Sequence, residues 1–201
     1  MKKISVAVLI AALAAPCPAL ASKSLDCFYS PRPTVHQPSP EQGRHPKCVA
    51  IAGNGSVRVL SRHLKALDYS DDGLSVLSFE GGMLYVKPSG ETLDVLPFDN
   101  GADSFQEGLV RGRRNGKIAF FDHSFRMVLP PKYDFAWPFE DGLAEVCSGC
   151  VQAPPDPADP EHHTAMEGGS WGFIDHQGRE VVPVSFPRDE AWRRKGEVGK
   201  Q

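Results

Sequence analysis

The feature that most limits what this chain can fold into is its self-similarity. Three strings share one pattern, Asp72-Gly73-Leu74, Glu107-Gly108-Leu109 and Asp141-Gly142-Leu143, and their glycines lie 35 and then 34 residues apart. A second family of strings falls between them: Met83-Leu84-Tyr85-Val86, Ile118-Ala119-Phe120-Phe121 and Trp171-Gly172-Phe173-Ile174. The first two of these are 35 residues apart and the last two 53 apart. The longer gap holds a proline-rich insertion, residues 151–169, with Pro154, Pro155, Pro157 and Pro160; removing about 18 residues restores the period. A proline follows each apolar string, at Pro97, Pro130 and Pro183, and an aromatic precedes two of the acidic-Gly-Leu strings, at Phe105 and Phe139. A period of this length is the signature of a repeat architecture. A unit so small cannot bury its apolar face alone, so neighbouring units must stack.

Within each unit the apolar positions follow strand spacing rather than helical spacing. Phe173–Arg179 followed by Val181-Val182 reads as a hairpin whose turn places Gly178 at positive φ, with Asp175 suited to bond its own backbone. Lys87-Pro88-Ser89-Gly90 repeats the idea. In the middle unit Phe125 stands where the glycine is expected, so that turn must be strained or of another type. Helical candidates are short, Arg62–Leu67 and Asp189–Lys195. The expected fold is therefore mainly β: stacked tandem repeats of about 35 residues, built from short strands and hairpins, with few short helices.

Trp171-Gly172-Phe173-Ile174-Asp175, then Gly178-Arg179-Glu180-Val181-Val182-Pro183, closely resembles the WG-repeat consensus. So does Pro131-Lys132-Tyr133-Asp134 followed by Phe139-Glu140-Asp141-Gly142-Leu143-Ala144. The resemblance spans roughly Leu74 to Pro183, with the Trp-Gly pair itself retained in the final unit alone. It implies an exported bacterial protein built from repeated short strands, and a binding role rather than a catalytic one.

The N-terminus fits export. Met1-Lys2-Lys3, an apolar run from Ile4 to Ala15 and small residues up to Ala21 describe a secretory signal peptide over residues 1–21. The run is too short to cross a bilayer, and Pro16 directly before Cys17 argues against a lipid anchor. The expected compartment is the periplasm, otherwise the extracellular space. Loss of Lys2 and Lys3 moves the formal charge from −3 to −5, which invites neither nucleic acid nor an anionic membrane. The chain then divides into a proline-rich segment 22–48, a repeat domain 49–187 and a polar tail 188–201, which either caps the last unit or frays. Val49–Asp72 serves as an N-terminal cap or a worn fourth unit.

Four cysteines remain after the leader, and an even count in an exported chain reads first as disulfides. Sequence position favours Cys27–Cys48 and Cys147–Cys150. The first closes a segment with little to bury, and a loop of that size is worth about 3 kcal/mol in chain-entropy models. Cys147-Ser148-Gly149-Cys150 has three readings. It is a tight structural disulfide at the base of the insertion; or half of a zinc site completed by His162, His163 or Glu161; or a thiol–disulfide exchange motif, which needs a depressed thiol pKa.

Other candidates are weaker. Asp122-His123 and Asp175-His176 occupy equivalent places in two units, where turn geometry explains the Asp and exposure the His. No Gly-x-Ser-x-Gly accompanies them, Asp71-Asp72-Gly73 lacks the alternating ligands of a calcium loop, and Gly53-Asn54-Gly55 is a turn. No catalytic residue is assigned. Phe120, Phe121, Phe139, Trp171 and Phe173 recur with the repeat as core. Tyr133, Phe135 and Trp137 alternate at strand spacing and form either a buried face or a strip that recognises a protein or glycan. The expectation is a non-enzymatic module without cofactor that presents a surface to such a partner.

Overall fold

A computed structural model describes residues 23–53, 55–154 and 165–198 of the chain. The expected signal peptide, His162 and His163 lie outside the described residues. Among the described residues the architecture is mainly β, with several antiparallel sheets and two helices. Among the described residues, no helix is long and apolar enough to cross a membrane.

The N-terminal sheet has six strands. Its elements are β1 (Lys23–Tyr29), β2 (Gly43–Ile51), β3 (Val57–Val59), β4 (Ser75–Phe79), β5 (Gly82–Val86) and β6 (Thr92–Val95), in the order β3-β2-β1-β4-β5-β6. Strand alternation sends Leu25, Cys27 and Tyr29 inward from β1 and Leu77 inward from β4. The sheet curls so far that its two edges meet, Thr92 Oγ1 donating to the Val57 carbonyl at 3.4 Å. A one-turn helix, α1 (Ser61–Leu64), carries His63 into this core, where its Nδ1 lies 3.0 Å from the Tyr29 hydroxyl. Burial pushes the His63 imidazole below its ordinary value.

The two ends of the segment between Cys27 and Cys48 are strand, with Cys27, Phe28 and Tyr29 of β1 paired to His45, Arg44 and Gly43 of β2, while residues 30–42 connect them and both cysteines are fully buried. The disulfide, with Cα atoms 5.8 Å apart, crosses an existing ladder. β1 and β2 thus belong to the same sheet as β4, to which β1 pairs through Cys27 and Phe28.

A two-residue pair, β7 (Pro97–Phe98) and β8 (Gly101–Ala102), leads to a three-stranded sheet of β9 (Val110–Arg114), β10 (Lys117–Phe121) and β11 (Met127–Tyr133). The last sheet comprises β12 (Phe135–Ala136), β13 (Leu143–Gln152), β14 (Met166–Asp175) and β15 (Glu180–Phe186), and α2 (Arg188–Val198) packs on β14 and β15. The tail therefore caps the last sheet.

The apolar strings explain the stacking. In β10, Ile118 and Phe120 face one hydrophobic cluster while Ala119 and Phe121 face the next, so both sides of the strand are buried. In β14, Trp171 and Phe173 face the C-terminal cluster and Ile174 faces the preceding one. A continuous apolar run, rather than clean alternation, is what a strand sandwiched between neighbours requires. The two strands share an irregular register with their partners. Ile118 and Phe120 pair with Tyr133 and Leu129, whereas Trp171 and Phe173 pair with Phe186 and Val182. The glycine of the Trp-Gly pair follows from close approach: a Cβ on Gly172 would lie 2.4 Å from the Val182 carbonyl oxygen. Its counterpart Ala119 is small and fully buried. The first unit departs from this, since β5 pairs with β6 without irregularity.

Turns carry the repeat as well. Glu107-Gly108 and Asp141-Gly142 both take positive φ at both positions, the signature of two-residue hairpin turns that match strand twist. Asp72-Gly73 differs; there only the glycine is left-handed, within a turn from Ser70 to Leu74. At the second kind of turn, Phe125 holds the place of Gly90 and Gly178. Phe125 N–H donates to the Asp122 carbonyl as Gly178 N–H does to that of Asp175, and Phe125 adopts φ +65°. Of the two readings the sequence left open, the strained one is realised.

Candidate functional site

Cys147 and Cys150 are joined in a disulfide, with Cα atoms 6.1 Å apart. They sit at the base of the 151–169 insertion, where Cys150 pairs with Gly168 and β13 and β14 continue pairing to Gln152 and Met166. The bridge is buried beneath Phe135 and Trp171. Gly169 opposes it at φ +68°, and a Cβ there would lie 2.4 Å from the Cys150 nitrogen and 2.8 Å from the Cys147 Sγ. Joined sulfurs provide no thiolate for the zinc reading, and among the described residues no group of three His, Cys, Asp or Glu side chains is arranged to hold a metal ion. His162 and His163 lie outside those residues.

The Asp-His pairs are built alike. Asp122 Oδ1 accepts from the Ser124 and Arg126 amides at 2.9 and 3.0 Å, and Asp175 Oδ1 accepts from those of Gln177 and Arg179 at the same distances. These bonds pull both carboxyls below the usual range against the opposing effect of burial. Each neighbouring histidine stacks on the aromatic of its own unit and meets the acidic turn of the preceding one. His123 lies on Phe105 with Nδ1 3.9 Å from Asp72; His176 lies on Phe139 with Nε2 3.0 Å from Glu107. The histidines tie units together, a contact between units that position in the turn did not reveal.

Tyr133, Phe135 and Trp137 do not share one face. Tyr133 is buried among Ile118, Phe120 and Leu129, and its hydroxyl reaches Glu180 Oε1 at 3.1 Å. The chain crosses from β11 to β12 at Asp134, so Phe135 turns instead towards Trp171 and Trp137. Trp137 alone of the three is exposed, at 36%. Its ring meets Phe98 edge-on, centroids 6.1 Å apart. Phe98, 41% exposed, comes from β7 and rests on the Arg111 guanidinium, which is itself buried in an ion pair with Asp103.

Phe98 and Trp137 form one wall of a cleft of about 390 Å³, and α2 forms the other. Arg188, Ala191, Trp192 and Lys195 fall at helical spacing, so one side of the helix faces β13 and β14. Ala191 is fully buried against the sheet, which brings Trp192 edge-on to Phe173. Glu145 of β13, 3% exposed, accepts from Arg188 Nε at 2.7 Å and Nη2 at 2.9 Å, and from the Trp192 indole N–H at 2.9 Å. The carboxylate raises the Arg188 guanidinium above its ordinary value. Lys195 Nζ lies over both the Phe173 and the Trp192 rings.

Sequence reasoning reached Trp137 but missed Phe98, Glu145, Arg188 and Lys195. The one signal available was the Arg188/Trp192/Lys195 spacing in the polar tail. A second hollow of about 650 Å³ lies beyond the Phe98–Trp137 pair and shares Arg188 with the first.

The family model of the WG containing repeat matches residues 119–149, from within β10 to within β13, and 171–186, the second half of β14 with β15. No curated protein and no solved structure matches the chain.

Proposed function

We propose that this chain, a WG-repeat protein over residues 119–149 and 171–186, is an exported, non-enzymatic module that binds a protein or glycan partner. The observation that carries the reading is the cleft between the last repeats and α2, where Phe98, Trp137 and Trp192 leave large ring surfaces open to solvent. Half-exposed aromatics gathered at one concave place are what recognition surfaces use. The leader-like N-terminus and two disulfides support export, to the periplasm or beyond it.

The test combines location with occupancy. The full chain is expressed in a bacterial host, and the recovered protein is weighed intact. The expected mass begins at Ser22 and is short by four hydrogens. The tryptophans are then oxidised with a selective reagent before and after incubation with fractionated envelope proteins and glycans. Trp137 and Trp192 are expected to gain protection in a fraction that leaves buried Trp171 unchanged. Equal oxidation with every fraction, or a reproducible turnover abolished by a point mutation, overturns the reading.

A further inference from the structure

The groups this cleft leaves unmatched identify a ligand class, an inference that rests on the cleft being the binding site. Its floor carries charge that is already neutralised. Glu145 is held by two of the Arg188 N–H donors and by the Trp192 indole. The lining as a whole holds two cations, Arg188 and Lys195, and two carboxylates, Glu140 and Glu145, so a small anion finds no net charge to match it and meets Glu140 as well as Lys195. A cation would meet the Lys195 ammonium, 4.8 Å from the Trp192 ring centroid. A wholly apolar ligand would cover polar groups at the rim without replacing their water, Gln106 and Ser104 among them.

The remaining class has flat C–H faces framed by uncharged hydroxyls. Such faces pack on the rings of Phe98, Trp137 and Trp192, and the hydroxyls bond the rim. Trp137 adds a part-exposed indole to the same lining. The Phe98–Trp137 pair separates two adjoining hollows, so an occupant that crosses it engages both sides. We infer that the cleft binds a neutral oligosaccharide, a chain of linked sugars rather than a single ring.

The experiment is a fluorescence titration of the full, oxidised chain, with Trp137 and Trp192 as reporters. The probes are hexasaccharides of β-linked glucose and of β-linked N-acetylglucosamine, and an uncharged proline-rich peptide. The expected result is a saturable emission change with one saccharide. Phe98→Ala and Trp137→Ala, each checked for an unchanged melting midpoint, should weaken it about tenfold or more, as loss of a central aromatic anchor does. Trp192 still reports in the second variant. Saturation by the peptide alone overturns the saccharide inference and leaves the binding module standing. No saturable response to any probe overturns both.

Discussion

Replacing Phe125 should reverse the usual order of alanine and glycine. The residue sits at φ +65° in a turn whose counterparts in the other units are Gly90 and Gly178. A side chain in the left-handed region costs about 1–2 kcal/mol. The chain tolerates this because the Phe125 ring is half-buried against the cluster of Leu93, Val110 and Phe121, and Lys87 Nζ lies 4.1 Å from its centroid. Lys87 is anchored there by Glu91 and the Ser124 carbonyl. Partial burial of the ring is worth about 1 kcal/mol, and the cation–π contact about 0.5–1 kcal/mol. Phe125→Ala loses both contributions and keeps the strain, a destabilisation of about 2 kcal/mol. Phe125→Gly loses the same contacts and about 0.5–1 kcal/mol of backbone entropy, but regains the strain. It should therefore be less destabilised than alanine by about 0.5–1 kcal/mol, with Phe125→Asn between them. Urea unfolding of the oxidised protein measures this, provided the slope m is common to all variants. An alanine variant as stable as the glycine variant, or more so, would show that the backbone at 125 stores no strain and that the ring does not offset it.

Glycine should give opposite answers at two other places. Gly172→Ala drives a Cβ to 2.4 Å from the Val182 oxygen and should lower stability by about 3 kcal/mol in a thermal melt. Gly196→Ala, in α2 with nothing within 4 Å, should raise it by a few tenths of a kcal/mol; equal effects would refute the close-approach argument. The two disulfides should differ because their loops differ, with sequence separations of 21 and 3. Chain entropy assigns them about 3 and about 2 kcal/mol, so Cys27→Ala with Cys48→Ala should lower the midpoint more than Cys147→Ala with Cys150→Ala. Asp134 is held below the usual carboxylate range by the Gly149 N–H at 2.8 Å and then by Lys117 at 2.6 Å. A depressed folded value stabilises above the unfolded value of 3.8 and is lost as pH falls through the lower folded one. Asp134→Asn should flatten the loss of stability below about pH 4, by a small amount because both partners are partly exposed; an unchanged acid limb would contradict the assignment.

The sequence by itself determined the class of fold, the strands that recur and the turns between them. Those are local matters. A glycine or aspartate at a turn, and an apolar run long enough for one strand, act within a few residues, so the spacing of Glu107-Gly108 and Asp141-Gly142 is readable without coordinates. The same holds for both cysteine pairings and for the two short helices. What local pattern did not carry was direction. Tyr133, Phe135 and Trp137 look equivalent at strand spacing, yet the crossing at Asp134 sends the first into the core and leaves the third at the surface. Position alone suggested that Cys27 and Cys48 close a proline-rich segment but not that its ends lie in one sheet with β4, because that pairing involves residues up to about 50 positions away. The cleft is the extreme case. Its rings come from β7, the stretch after β12, and α2, and its buried carboxylate comes from β13. Only the docking of α2 on β14 and β15, driven by burial of Ala191 and satisfaction of Glu145, brings those groups to one place, and no spacing along the chain encodes a contact made across two sheets and a helix.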